Sequence, residues 1–287
     1  MKKYLIILVT FSLLFTISAC YKNPEKETQI IEDDNSPDIV TDSTILDTQT
    51  TIEPPVTPTE PSDNNDEVIN VATPTTQTNY AYYLSSKVDS LNVRSSNSST
   101  APKLGSINKG DMLSYKGESG NWYRTVYKEK DAYVHKDYVQ IVKIAKGNEQ
   151  TEKVIDVGLS LLGYPYVYGS ERYHWGNGRL NSNFVPGKYD CSALMQYMFY
   201  FGSGDILEVT SKKQFYQGKA IDELKRGDLM FFTNANGYYA SGINRVRHVG
   251  MYLGDNYILH TASDYAVIEP ISQKRWEYFI TARRIID

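Results

Sequence analysis

The stretch Tyr189-Asp190-Cys191-Ser192-Ala193-Leu194-Met195-Gln196-Tyr197-Met198 organises the second half of this 287-residue chain. Asp190 is typical of a helix N-cap, because its side-chain oxygen can accept a hydrogen bond from an unpaired backbone N–H of the first turn. Beyond it, apolar residues recur at helical spacing and form one face: Leu194, Tyr197, Met198 and Phe201. The pattern predicts a helix that begins at Cys191.

Cys191 would occupy the first position of this helix. There the macrodipole and the unbonded N–H groups favour a negative charge, so a thiol ionises more readily and can act as a nucleophile. A buried structural cysteine is the other interpretation of the same residue, since cysteines outside disulfides are often buried. Cys191 alone leaves both interpretations open, and the rest of the chain decides between them.

The N-terminus has the layout of an export signal. Two lysines precede an apolar run over residues 5–17, which is too short for a comfortable membrane span. The segment Ile17-Ser18-Ala19-Cys20 resembles the lipobox of bacterial lipoproteins. That resemblance implies a signal peptide over residues 1–19 and an acylated Cys20, and an ordinary secretory signal with its cleavage site elsewhere is the alternative.

Export bears on the chemistry of the two cysteines in the chain. Outside the cytoplasm, cysteines usually pair as disulfides. If Cys20 carries lipid, the chain offers no second cysteine to form a disulfide with Cys191. A single thiol in an exported protein needs a reason, and nucleophilic chemistry is one.

Residues 20–78 are rich in Thr, Asp, Glu and Pro, with few apolar residues and no periodicity. Such a segment cannot bury enough apolar surface to offset the entropy of ordering, so we predict a disordered acidic tether. It holds 13 acidic residues against two lysines, which leaves a net charge of +5 on residues 79–287. A tether with a functional reach and a plain spacer both fit this composition.

Residues 79–143 contain short β-rich runs separated by turn signals, a pattern typical of a small all-β barrel. The segments that carry the pattern are Leu91-Asn92-Val93-Arg94-Ser95, Lys109-Gly110, Gly120-Asn121-Trp122-Tyr123 and Ala132-Tyr133-Val134-His135. They resemble the bacterial SH3 (SH3b) domain. The resemblance implies a module that targets or supports a cell-wall enzyme.

Residues 144–287 begin with helical patterns and continue with β-rich runs, which predicts an α+β second domain. Apolar spacing over residues 149–162 predicts a helix that ends at Gly163. Strand-like sequence then prevails from Leu229 onward. A helical half would thus precede a β half.

Within the β half, two β-rich runs flank the turn signal Gly254-Asp255-Asn256 and predict a hairpin. If these three residues form the loop, Leu253 opposes Tyr257. His248 then shares a face with His260, and the two imidazoles are close enough for a hydrogen bond. A register slip of one residue would put them on opposite faces.

Together these residues could cleave an amide. Amide hydrolysis by a thiol needs a nucleophile, a base that takes its proton, and a group that orients the base. Cys191 would be the nucleophile, His248 the base, and His260 a neutral orienting partner. Two histidines that merely lie on the surface or in the core of the β half are the alternative.

Five segments in order resemble the motifs of the NlpC/P60 cysteine peptidases. They are Tyr164-Pro165-Tyr166-Val167-Tyr168-Gly169, Asp190-Cys191-Ser192, Gly227-Asp228-Leu229-Met230-Phe231-Phe232, His248-Val249-Gly250-Met251-Tyr252-Leu253-Gly254 and Ile258-Leu259-His260-Thr261-Ala262. The resemblance implies a papain-like α+β fold and a catalytic triad of Cys191, His248 and His260. It also implies cleavage of peptidoglycan stem peptides, most often at the γ-D-glutamyl bond to diaminopimelate or lysine.

The same resemblance suggests substrate-contacting residues. Tyr166 matches the tyrosine near the oxyanion site, and Asp190 and Ser192 flank the nucleophile, where some members contact the substrate amine. Core packing is the alternative for Tyr166, and helix capping is the alternative for Asp190. We expect no metal or other cofactor, because the thiol and the imidazoles are the groups that this family uses for acylation.

The chain departs from the family pattern at three places. Ala193 stands where glycine is usual, and Ser170 follows Gly169 in place of a second glycine. An insert over residues 171–188, which contains His174, lengthens the spacing before Cys191. The insert could fold over the cleft and restrict the substrate, or it could be a surface loop.

The sequence therefore predicts a lipid-anchored peptidoglycan endopeptidase that faces the cell wall. Its partners would be stem peptides and, through Cys20, the membrane, and we expect a monomer that does not bind nucleic acid. Two other functions remain open: a catalytically idle wall-binding adaptor, and a thiol amidase or acyltransferase with another acyl substrate.

Overall fold

A computed structural model describes residues 79–262 and 264–287. The predicted signal peptide over residues 1–19, the acylation site Cys20 and the tether over residues 20–78 lie outside the described residues. Within the described ranges, no helix has the length and apolar character needed to cross a bilayer.

The described residues form a β-rich first part and a mixed second part. The strands are β1 (Tyr80–Ser86), β2 (Leu91–Arg94), β3 (Lys103–Ile107), β4 (Met112–Ser114), β5 (Glu118–Ser119), β6 (Trp122–Tyr127), β7 (Lys130–His135), β8 (Val139–Ala145), β9 (Lys219–Ala220), β10 (Leu229–Phe232), β11 (His248–Gly254), β12 (Tyr257–Ala262), β13 (Tyr265–Pro270) and β14 (Phe279–Arg284). The helices are α1 (Glu149–Ser160), α2 (Cys191–Gly202), α3 (Ser211–Gln214) and α4 (Gln273–Glu277). The predicted α+β class is confirmed.

One sheet runs through both parts of the molecule. Its nine strands lie in the order β8-β1-β4-β13-β12-β11-β10-β14-β9, and β4 joins β13 at the pair Met112 and Ile268. A second sheet, in the order β3-β2-β7-β6-β5, completes the first part. The domain boundary predicted after residue 143 falls inside β8, because that strand pairs with β1 as far as Ala145.

Helix α1 is two residues shorter than predicted. It ends at Ser160, and the carbonyls of Ser160 and Leu162 accept hydrogen bonds from the backbone of residues 128–129 in the first part. The last carbonyls of a helix have no partner within the helix, and here another part of the chain supplies one. Gly163 has a φ of +89°, and an added Cβ there would overlap the ring of Tyr127.

Helix α2 begins as predicted. Asp190 is its N-cap, and its carboxylate accepts a hydrogen bond of 2.8 Å from the backbone N–H of Ala193. The helix is largely buried and packs against α1, β11 and β12.

The hairpin between β11 and β12 turns more tightly than predicted. Gly254 opposes Tyr257, so the loop has two residues and the prediction that Leu253 opposes Tyr257 is wrong. Asp255 and Asn256 have φ values of 48° and 65°, and two positive values are what a type I′ turn requires. This turn matches the right-handed twist of the flanking strands.

A β-bulge restores the register of the hairpin. Between Tyr252 and Gly254 one extra residue is accommodated, and Met251 then pairs with Leu259. In this register Gly250 lies beside His260. A Cβ added to Gly250 would approach the His260 Cβ to 2.9 Å, so the absence of a side chain makes room for this histidine.

Candidate active site

The two histidines of the hairpin form a direct contact. His248 Nε2 lies 2.8 Å from His260 Nδ1, and His260 is fully buried while His248 is 7% exposed. The prediction that both imidazoles share a face at hydrogen-bond distance is confirmed. Burial alone does not distinguish a catalytic pair from two histidines that merely pack in the core. The groups around the pair decide between these two interpretations.

An acidic residue extends the pair. Glu269 Oε1 on β13 lies 3.0 Å from His260 Nε2, and the same oxygen lies 2.9 Å from Arg275 Nη2 on α4. Sequence reasoning missed both residues. The available signal was a glutamate in the otherwise apolar strand Tyr265–Pro270, with an arginine six positions later.

Burial controls the charge state of this cluster. Burial holds the pKa of His248 well below its usual value, and nearby His260 and Arg275 add to the effect. Burial and then Arg275 also lower the pKa of His260, and the bond to Glu269 offsets this only in part. Burial would raise the pKa of Glu269, but its bond to His260 and the charge of Arg275 lower it to about 2. At neutral pH the carboxylate is therefore ionised and both imidazoles are neutral.

Cys191 lies at the first position of α2 and is 2% exposed. Helix α2 packs against β11 and β12, the strands that carry the imidazoles. Tyr166 forms a bridge with Tyr189 and donates its backbone N–H to the Asp264 carbonyl at 3.0 Å, just beyond the end of β12. Because β11 and β12 are antiparallel, the end of β12 is also the start of β11. The start of α2 and His248 therefore lie at the same end of the sheet.

The half-buried Tyr166 borders this end of the sheet through the two backbone contacts just described. Its position beside the strand end and the start of α2 is compatible with the predicted role near the oxyanion. The role itself stays a prediction.

Asp190 and Ser192 are engaged within the protein. Asp190 Oδ1 accepts hydrogen bonds from the Ala193 N–H and the Ser192 hydroxyl, at 2.8 and 3.1 Å. Arg172 Nη1 lies 2.8 Å from Asp190 Oδ2, and Arg172 Nη2 lies 3.2 Å from the Ser192 hydroxyl. Asp190 is 3% exposed, so its carboxylate serves the start of α2. Contact with a substrate amine stays a prediction, and Arg172 is a residue that sequence reasoning did not single out.

Comparison with protein families identifies both parts of the chain. The NlpC/P60 family model matches residues 163–284, and the bacterial SH3 domain model matches residues 89–140. Residues 163–284 are an NlpC/P60 domain. The resemblances inferred from the sequence motifs are thereby confirmed for both domains.

Curated relatives of the NlpC/P60 domain act on the cell wall or on glutamyl bonds, according to their names. The chain is 30% identical to peptidoglycan endopeptidase RipA of Mycolicibacterium smegmatis over 139 residues. The matched region covers 47% of this chain and 26% of RipA. It is 27% identical to gamma-DL-glutamyl hydrolase of Bacillus subtilis over 185 residues. That matched region covers 63% of this chain and 40% of the hydrolase. The chain thus spans well under half the length of these relatives.

Among solved structures, the NlpC/P60 domain is similar to RipD of Mycobacterium tuberculosis. The identity is 21% and the TM-score is 0.37, over 49% of this chain and 100% of RipD. RipD is described as a non-catalytic NlpC/p60 domain protein adapted to peptidoglycan binding.

The insert of the NlpC/P60 domain, residues 171–188, packs along α2. Tyr173 and Phe184 contact Tyr197 of the helix, with ring centroids 5.6 and 5.7 Å apart, and His174 is fully buried. These residues of the insert pack against the helix, while most of the insert is exposed, and both interpretations of the insert stay predictions. Tyr173 and Phe184 remove apolar surface from water by covering the helix, whereas Trp175, Leu180 and Val185 of the insert are exposed.

Proposed function

We propose that this protein is a peptidoglycan hydrolase whose NlpC/P60 domain cleaves stem peptides with Cys191 as the nucleophile. The observation that carries the proposal is the buried hydrogen bond between His248 and His260 at the end of the sheet where α2 begins. A neutral imidazole keeps a lone pair on one ring nitrogen and can accept a proton there, which is what a base requires. The names of the curated relatives support peptidoglycan as the substrate.

The chemistry follows from the roles of the three groups. His248 takes the thiol proton as the Cys191 sulfur attacks the carbonyl carbon, and the carbonyl oxygen becomes an oxyanion that accepts a bond from the backbone N–H of Cys191. Collapse of this intermediate breaks the C–N bond, and His248 returns the proton to the departing amine. Water then attacks the thioester with His248 as base, which releases the acid and restores the thiol.

The finer specificity is part of the same proposal. We assign cleavage to the γ-D-glutamyl bond that precedes diaminopimelate or lysine, supported by the similarity to a protein named gamma-DL-glutamyl hydrolase. Tyr166 would lie near the oxyanion, while Asp190 and Ser192 would position Cys191 through the first turn of α2. The bacterial SH3 domain, residues 89–140, would hold the enzyme on the wall.

The location follows from the substrate. A peptidoglycan hydrolase works outside the cytoplasm, and acylation of Cys20 would anchor it to the membrane that faces the wall. Globomycin, which blocks the lipoprotein signal peptidase, should leave the precursor uncut. A precursor cut normally in its presence would contradict the anchor and leave the hydrolase proposal standing.

The central test is digestion of purified sacculi. Wild-type protein should release soluble stem-peptide fragments that mass spectrometry detects, and Cys191→Ala and His248→Ala should release none while circular dichroism shows the fold intact. His135→Ala removes a histidine of the SH3 domain and is the matched control, expected to keep activity. If Cys191→Ala digests sacculi as well as wild type, Cys191 is not the nucleophile.

Defined substrates then test the bond. γ-D-Glutamyl peptides that end in diaminopimelate or in lysine should be cut, and muramyl amides should not. Turnover of the amides alone would instead favour the thiol amidase or acyltransferase function.

A second candidate function is a wall-binding adaptor, and the burial of Cys191 to 2% exposure favours it. Thiol labelling separates the two functions. A nucleophile should react with iodoacetamide at neutral pH faster than a model thiol does, because its thiolate is stabilised. Sacculus binding without labelling and without fragment release would support the adaptor.

A further inference from the structure

We infer that Glu269, held by Arg275, is a positioning residue that fixes which nitrogen carries the proton in His260 and, through it, in His248. The inference rests on the proposed function for its effect on catalysis. The proton positions themselves do not depend on that function, so they can be tested separately.

The first step is the direction of the bond between Glu269 and His260. Arg275 is a donor only, so Glu269 Oε1 must accept the bond from Arg275 Nη2 at 2.9 Å. The same oxygen lies 3.0 Å from His260 Nε2. The adjacent guanidinium stabilises the ionised form of the carboxyl group, whose pKa is low. An ionised carboxylate only accepts hydrogen bonds, so His260 Nε2 carries the proton and donates it.

The second step passes the constraint to His248. A neutral imidazole with its proton on Nε2 has a lone pair on Nδ1. His260 Nδ1 therefore accepts in the 2.8 Å contact, and His248 Nε2 must be the donor. His248, also neutral, then has its lone pair on Nδ1. That nitrogen is the one left to accept a proton from the Cys191 thiol.

Without the negative charge on Glu269, the proton positions on the two imidazoles would no longer be fixed. Without an ionised acceptor, His260 could carry its proton on Nδ1 and donate it to His248. His248 would then hold its own proton on Nδ1 and could not act as a base there. One buried carboxylate thus selects the active arrangement of two rings.

Arg275 keeps the carboxylate in place and in its ionised form. Its side chain is 5% exposed, it lies on α4, and its guanidinium also stacks over the ring of Phe232 at 5.7 Å from the centroid. Burial is the main cause that lowers the pKa of both imidazoles, and the nearby cation adds to it, so both rings stay neutral. Glu269 and Arg275 therefore act as one unit.

Nuclear magnetic resonance reads the proton positions directly. The chain has four histidines, so ¹⁵N-histidine labelling of the full chain gives few signals, which single substitutions assign. In the Cys191→Ala protein at neutral pH, where no thiol proton intervenes, His248 and His260 should both appear as Nε2–H tautomers. An Nδ1–H tautomer or a charged ring at either position would overturn the inference.

The matched variants are Glu269→Gln and Glu277→Gln. The first keeps the shape of the side chain and removes its charge, and the second removes a charge from the exposed end of α4. Glu269→Gln should give mixed tautomers and lower kcat by on the order of 10- to 100-fold with little change in KM, because an incorrect tautomer removes the base. Glu277→Gln should match wild type in both readouts.

Wild-type tautomers and wild-type kcat in Glu269→Gln would overturn the inference. If that variant does not fold, an Nδ1–H tautomer or a charged ring in the Cys191→Ala spectrum still overturns the inference, and two Nε2–H tautomers support it. If wild-type protein does not digest sacculi but shows both Nε2–H tautomers, the proposed function fails and the proton-ordering role of Glu269 stands.

Discussion

Arg172 and Asp190 form a buried ion pair next to Cys191. Their side chains are 15% and 4% exposed, and the two charges lie 2.8 Å apart. Such a pair is costly to break, because removal of one partner leaves the other charge buried without compensation. The pair links the insert to the residue that caps α2.

We predict that Arg172→Met lowers the free energy of unfolding by about 3–5 kcal/mol, since Asp190 would lose its counter-charge. The control is Lys153→Met, which breaks the exposed pair with Glu149 and should cost less than about 1 kcal/mol. Urea denaturation measures both. If both variants lose the same free energy of unfolding, the buried pair stabilises the protein no more than the exposed pair does.

The hairpin of β11 and β12 sets the geometry of the site at the scale of elements. Its type I′ turn and its bulge together keep the two imidazoles on one face. In the same arrangement, side chains of β12 lie close to the backbone of β11 at Gly250.

Gly250→Ala should destabilise the protein by about 1–3 kcal/mol, because the added methyl group would lie 2.7 Å from Ile258 Cδ1 and 2.9 Å from His260 Cβ. Activity should fall as well, since His260 must move. Gly147→Ala, where the nearest atom is 3.1 Å away at the Thr151 side chain, is the control and should change neither property much. Thermal unfolding and sacculus digestion give the comparison, and a fully active Gly250→Ala protein would contradict the tight fit.

The two domains share contacts as well as a sheet. Arg226 joins them, because it bonds Tyr83 Oη of β1 at 2.7 Å and Glu152 of α1 at 2.6 Å. Asp111 lies at the same junction, 5% exposed, and accepts hydrogen bonds from the hydroxyl of Tyr265 and the backbone N–H of Asn108. The SH3 domain is therefore packed onto the NlpC/P60 domain rather than only linked to it.

Asp111 makes this junction sensitive to pH. Burial raises the pKa of Asp111 to about 7, and the bond from the Asn108 N–H offsets this only in part. The folded protein then binds more protons than the unfolded chain between about pH 4 and pH 7. Stability from this group is present below about pH 4 and is lost as the pH rises through about 7.

Asp111→Asn should therefore be more stable than wild type at pH 8, by about 1–3 kcal/mol, and equal to it near pH 4. Asparagine keeps a carbonyl oxygen for Tyr265 and carries no charge. Asp131→Asn on the exposed surface of the SH3 domain is the control and should show no such pH dependence. Denaturation at both pH values tests this, and a variant less stable at pH 8 would refute it.

Several features could be predicted from the sequence because their physical causes are local. The N-cap Asp190, the helical spacing after it and the hairpin around Asp255 each depend on residues within a few positions of one another. The turn was predicted one residue too long, since the bulge that compensates for a tighter loop leaves no signal in composition.

The sequence by itself determined the order of the two domains, the helix that begins at Cys191 and the two histidines that share a face. Only the tertiary structure decided that Glu269 contacts His260, that Arg172 pairs with Asp190, and that β4 and β13 join the domains in one sheet. Spacing rules act over a few residues, whereas these contacts depend on which surfaces are buried together. Burial fixes the charges and proton positions there, so the site is complete only once the chain has folded.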